Sequence, residues 1–389
     1  MEALSTILVN SGFLNLGWQN FVMLFIGGLL IYLAISKEYE PLLLIPIGFG
    51  AILANLPLSN MMAQMMDPAA QTATGGGHSL GILQLIYNAG IETELLPPLI
   101  FLGVGVLTDF RPLLSRPITF ILGAAAQLGI FVAAMGAFYI FNFDLKEAAS
   151  IGIIGGADGP TTIFLTAQLA PHLLGAVAVA AYSYMSLVPI IQPPILRMMT
   201  TKNERIIEMP PPRDVSRRAV IFFPIVSSVV AILAVPSCAP LIGMLMFGNL
   251  LRESGVTERL KKTAGGPMVD IVTILLGITV GATMEGVGFI KLETVGILIL
   301  GAFAFAFSTF GGILLAKILN IFLAKDRKIN PCIGAAGVSA VPMAARVVQD
   351  FVARESGGKV NPLYAAMGPN VAGVIGSAVA AGIFLTFLG

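Results

Sequence analysis

Apolar and polar positions in this 389-residue chain are segregated on the scale of whole helices. Apolar runs cover 21–35, 41–56, 95–107, 118–141, 173–196, 219–235, 271–283 and 294–323, and a small-residue-rich run covers 365–388. Together with two interrupted stretches described below, they supply roughly ten spans of about 20 residues each. The pattern predicts an all-α polytopic membrane protein. A transmembrane β-barrel would show alternating segments of about ten residues, whereas these runs are continuous.

The order of elements repeats. "FLGVGVLTDFRPL" (101–113) precedes a Gly/Ala-rich span, then the interrupted stretch "GGADGPTT" (155–162), then a span carrying "AAYSYMSLVPIIQPP" (180–194). In the second half "LLGITVGATMEGVGF" (275–289) precedes a Gly/Ala/Phe-rich span, then "NPCIGAAGVSAVPMAARVVQD" (330–350), then "GPNVAGVIGSAVAAG" (368–382). Two inverted structural repeats, each with a Gly/Pro-broken helix at the same place, are the expected architecture, and such breaks point to a transporter's binding site. The expected divisions are 1–79 (N-terminal spans), 80–198 (first repeat, broken at 150–169), 199–269 (connector plus a linking span) and 270–389 (second repeat, broken at 330–350). The stretch 59–79, too polar to span and ending near three glycines, is expected to be re-entrant.

Composition agrees with the pattern: 56% of residues are hydrophobic and 11% charged, against about 25% charged in soluble domains. Mean hydropathy is +0.90. The longest polar stretch, 197–218, holds six basic residues and a triple proline; its basic excess places it on the cytoplasmic side. No basic residue precedes the first apolar run, so a cleavable signal peptide is not expected. Cys238 and Cys332 suggest neither a disulfide framework nor a metal cluster, and His78 and His172 have no ligand spacing around them. A net charge of +1 gives no reason to expect a nucleic-acid partner.

Glycine and proline interrupt the helical ladder and leave backbone groups free, which a membrane tolerates only where protein or a water-filled cavity satisfies them. Bared carbonyls, hydroxyls and a carboxylate make a shell for a small hard cation. The candidate ligands are Asp158, Thr161 and Thr162 in the first break, and Asn330, Ser339 and the carbonyls around Gly334 and Gly337 in the second. Leaving Asp158 uncompensated in the membrane would cost about 2.5–3.5 kcal/mol. Its structural alternatives are capping a half-helix or pairing with Arg346. Arg346 lies two turns beyond Ser339 and is suited either to hold a carboxylate bidentately or to neutralise Asp350. Tyr184 is either a proton donor or an aromatic at the membrane interface. Asn370 and Ser377 are either site residues or part of a small-residue packing face.

These motifs resemble, over nearly the whole chain, the β subunits of the biotin-dependent sodium-translocating decarboxylases, which act on oxaloacetate, methylmalonyl-CoA, glutaconyl-CoA or malonate. "GFGAILANLP", "FLGVGVLTDFRPLL", "GGADGPTTIF" and "GPNVAGVIGSAVAAG" carry the resemblance. It implies an inner-membrane subunit that decarboxylates carboxybiotin, consumes a proton and exports Na+. It further implies a biotin carrier protein, a soluble carboxyltransferase α subunit, a small γ/δ-type membrane subunit and a homo-oligomer as partners, and an elevator-like motion. By resemblance, Asp158, Tyr184 and Arg346 are the catalytic residues, Arg346 anchors carboxybiotin, and Asn330, Gly334 and Ser339 join Asp158 and Thr161 around Na+. The alternative without biotin chemistry is a Na+- or H+-coupled carboxylate transporter or antiporter.

Overall fold

The computed structural model describes residues 11–62, 81–324 and 327–389; the expected re-entrant stretch lies outside these from residue 63 to 79. Every regular element among the described residues is helical. Trp18–Ser36 (α1) and Pro41–Ala54 (α2) form a hairpin. Ile82–Tyr87 (α3), with the π turn after it, meets Leu96–Leu107 (α4) at a 64° bend. Ile118–Ala126 (α5) and Leu128–Phe141 (α6) make one long helix interrupted at Gln127. Leu145–Gly152 (α7), the 3₁₀ turn Ile153–Gly156 and Gly159–Leu169 (α8) form the first broken segment, and Leu174–Met199 (α9) follows.

Past the connector come Arg217–Ala234 (α10), Ala239–Ser254 (α11), Val269–Ala282 (α12) and Leu292–Phe322 (α13). The second broken segment is the 3₁₀ stretch Pro331–Gly337 followed by Met343–Ser356 (α14), and Leu363–Leu388 (α15) ends the chain. The order long helix, interrupted segment, short helix, long helix thus occurs at 118–199 and again at 292–388.

Among the described residues seven helices are long and apolar enough to cross a membrane, and the bent pair α3–α4 makes an eighth. The count falls short of ten because apolar runs are cut by proline and glycine into pieces too short to span, α2 and the broken segments among them. Spans that pack through the bundle are buried, while α10 exposes Phe222, Ile225, Val229 and Leu233, a surface suited to lipid.

Helices meet at small residues, as expected where lipid supplies no hydrophobic drive and close backbone approach must do the work. A Cβ built on Gly50 of α2 would lie 2.1 Å from the Ile278 carbonyl of α12, and one on Gly281 of α12 would lie 2.0 Å from the Ile47 carbonyl. Gly105 of α4 and Gly248 of α11 make the same reciprocal contact, at 2.0 Å from Leu245 O and 2.1 Å from Leu102 O.

Candidate functional site: the crossing of two broken helices

The two breaks touch through their backbones. The Ser339 amide donates to the Gly156 carbonyl at 2.8 Å, so the end of one 3₁₀ turn is tied to the residues following the other. Asp158 sits one residue beyond Ala157, whose φ of 52° turns the chain through the left-handed region. There it becomes the N-cap of α8: its Oδ1 accepts from the Thr161 amide at 3.2 Å. An anion at a helix N-terminus is favoured by the free amides and the dipole. Capping therefore occurs, and it uses one oxygen only.

The other carboxylate oxygen accepts from the Ser377 hydroxyl at 2.7 Å. Ser339 donates in turn to Ser377 at 3.0 Å, giving a hydroxyl chain Ser339, Ser377, Asp158 drawn from the second break, α15 and the first break. All three are buried. The Thr161 hydroxyl lies beside the same carboxylate without an aligned hydrogen bond of its own, whereas the Thr162 hydroxyl donates to the Asp158 carbonyl at 2.7 Å. Among the described residues no lysine or arginine pairs with Asp158.

The bared carbonyls of the second break are met by side-chain amides from three helices. Gln192 of α9 donates to Ala335 O at 2.8 Å. Asn370 of α15 donates to Ala336 O, Val338 O and Ala340 O at 3.0, 2.7 and 3.3 Å. Gln127, at the break between α5 and α6, donates to Gly337 O at 3.4 Å. The backbone accounting that hydrocarbon demands is thus closed by amides. The amide oxygens of Gln127, Gln192 and Asn370 are themselves buried without donors. Unpartnered oxygens of this kind are ligands that a hard cation accepts.

Other residues singled out from the sequence stand elsewhere. Asn330 donates to Arg205 O and Ile207 O at 2.9 and 3.1 Å and caps Cys332 N at 3.0 Å, so its amide clips the connector to the start of the second break. Gly334 lies against α13: a Cβ there would be 2.1 Å from Gly312 O. Tyr184 donates to the Leu298 carbonyl of α13 and packs on Gly301. Arg346 is exposed and forms no ion pair with a described carboxylate, Asp350 included. The tyrosine beside Asp158 is instead Tyr182, fully buried with an unpartnered hydroxyl, its ring 2.1 Å from where a Cβ on Gly159 would be. Gln127, Tyr182 and Gln192 were not identified from the sequence. The available signal was polarity: Gln127 and Gln192 each interrupt a long apolar run.

The model of the Na+-transporting oxaloacetate decarboxylase β subunit family matches residues 19–388. The chain belongs to that family. It is 51% identical to the methylmalonyl-CoA decarboxylase subunit β of Propionigenium modestum over the whole of both chains. It is 47% identical to the oxaloacetate decarboxylase β chain of Klebsiella pneumoniae, over all of this chain and 99% of that one. It is 50% identical to the glutaconyl-CoA decarboxylase subunit β of Acidaminococcus fermentans, over all of this chain and 98% of that one. As a β subunit of this family it is a membrane-integral, multi-pass component of a sodium-transporting decarboxylase.

Proposed function

We propose that this β subunit decarboxylates carboxybiotin presented by a carrier protein and uses that step to export Na+. The observation that carries the reading is the Asp158 carboxylate, buried at the contact of two broken helices, hydrogen-bonded by Ser377 and Thr161 and paired with no cationic side chain among the described residues. A cation passing through this site offsets the desolvation of the carboxylate, and carboxylate and hydroxyl oxygens suit Na+ as cargo.

In the cycle, Na+ enters from the cytoplasm to Asp158, with Thr161, Ser339 and Ser377 around it. Arg346, exposed on amphipathic α14, holds the carboxylate of carboxybiotin at the mouth. The N–C bond of carboxybiotin then breaks, CO2 leaves and the ureido nitrogen takes a proton relayed through Asp158 and through Tyr184, whose hydroxyl must first leave the Leu298 carbonyl it holds here. Asn330 and Gly334 act in a second arrangement of the broken segments, since here they hold the connector and α13. Exporting one charge against 100 mV costs about 2.3 kcal/mol, within reach of a decarboxylation worth several kcal/mol. The repeated element order at 118–199 and 292–388 supports two inverted repeats, moving elevator-fashion against α1, α2, α4, α11 and α12. A carboxyltransferase α subunit, a small γ/δ-type subunit and further copies of this chain complete the assembly. Relatives named for three different acids resemble the chain at 47–51%, so we infer that a soluble subunit selects the acid.

The test is decarboxylation of free carboxybiotin by the purified complex across a Na+ titration, with wild type beside Asp158→Asn. Turnover should rise with Na+ in the wild type and be lost in the variant. Carboxybiotin left untouched, while vesicles still exchange Na+ or a carboxylate, would sink the reading and leave a secondary transporter.

A further inference from the structure

A second polar feature lies away from the crossing, at the connector end of α5. Arg116, just before α5, Arg213 of the connector, and Arg327 and Lys328 after α13 line one cavity of about 500 Å³. Three segments far apart in sequence thus bring four cations to one place. No described carboxylate lines the cavity or pairs with any of the four. Some basic side chains elsewhere are neutralised: Arg205 pairs with Glu355 at 2.8 Å, Lys317 with Glu204 at 3.3 Å, and Arg252 with Glu253 at 3.1 Å. The four-cation cluster differs from these pairs in bringing cations together without a described carboxylate.

Arg116 is partly buried. Its Nε is buried with no hydrogen-bond partner, and burial, then the neighbouring Arg213, hold its guanidinium below the usual arginine range. Like charges crowded into a partly dry cavity destabilise one another unless an anion joins them. The rest of the wall is apolar or proline, with Ile118, Leu323, Pro117, Pro210 and Pro211. The volume is that of a small-ligand site. Such a site, charged at one side and apolar at the other, at the end of membrane helices, suits a phosphate with an apolar flank, the chemistry by which basic pockets between helices take anionic headgroups.

We propose that this cavity is a phosphate site, filled by the headgroup of an anionic phospholipid or by free phosphate of the same charge. Its position gives occupancy a mechanical consequence. Met209 and Ile329 line it, and the Asn330 backbone N–H donates to the Met209 sulfur at 3.2 Å. An anion drawn between Arg116, Arg213 and Arg327 clamps the connector against the start of the second broken segment.

The experiment uses the purified complex in two arms. In the first, complexes extracted from membranes containing phosphatidylglycerol are weighed intact by native mass spectrometry. In the second, complexes in phosphatidylcholine nanodiscs are titrated with inorganic phosphate at constant ionic strength while thermal unfolding is followed. Retained phosphatidylglycerol in the wild type, cut at least tenfold by Arg213→Gln on the exposed connector and by Arg116→Gln, identifies a lipid. Saturable stabilisation by phosphate with the same loss identifies the free anion. Arg116→Lys should keep binding in either arm, and Arg259→Gln, an exposed arginine outside the cavity, should change nothing. Equal retention and equal stabilisation in wild type, Arg116→Gln and Arg213→Gln would overturn the proposal.

Discussion

The Ser377 hydroxyl donates to the Asp158 carboxylate at 2.7 Å across 219 residues of sequence. That bond ties α15 to the first break, and through Ser339 it reaches the second. A shift of either broken segment must alter this chain of hydroxyls.

Ser377→Ala removes a hydrogen bond to a charged acceptor, worth about 1.5–3 kcal/mol. With tenfold per 1.4 kcal/mol, the Na+ concentration for half-maximal carboxybiotin decarboxylation should rise roughly 10- to 100-fold. Ser339→Ala, one step further out, should give a smaller rise. An unchanged Na+ dependence in Ser377→Ala would place the ion elsewhere.

Asn370 acts first as a clamp, because one amide nitrogen meets three carbonyls. Asn370→Leu leaves buried carbonyls bare at about 1–3 kcal/mol for each group orphaned. Thermal unfolding in detergent should drop by many degrees and the protein should fold poorly. Full stability with lost Na+ response would instead make Asn370 a ligand alone.

Gly312→Ala and Gly334→Ala each force a methyl to within about 2 Å of the other's backbone, and helices there cannot separate without opening the second break. Both should lose expression or thermal stability outright. Gly28→Ala on α1 meets nothing within 4 Å and should be neutral or stabilise by up to about 1 kcal/mol from helix propensity. Similar behaviour of all three would mean that the close contact of α13 with the break is not as described.

Arg346 makes no ion pair with a described carboxylate and stands exposed, so Arg346→Ala should leave the unfolding temperature unchanged. If the side chain anchors carboxybiotin, the variant should raise KM for free carboxybiotin at least tenfold. Arg346→Lys, lacking the bidentate fork, should recover only part. A stability loss without a KM change would make the residue structural.

Much of this molecule is legible along the chain. The membrane class follows from the length of the apolar runs, and both breaks announce themselves by glycine and proline. A carboxylate inside such a break is conspicuous because hydrocarbon punishes it, so Asp158 needed no structure to be noticed. Thr161 followed from adjacency. What the chain alone left open was which helix faces meet. In α9 and α15 nearly every position is apolar or small, so no stripe marks an inner face, and Tyr182 and Tyr184, two positions apart on a helix, point about 200° apart. Tertiary packing turned Tyr182 toward Asp158 and Tyr184 toward Leu298. It also gave Ser377 to the carboxylate, Asn370 to the bared carbonyls and Asn330 to the connector. Local chemistry decides where a membrane helix breaks, because the cost falls on the broken residues themselves. Which side chains close the break depends on the register of helices distant in sequence, and only their packing sets that register.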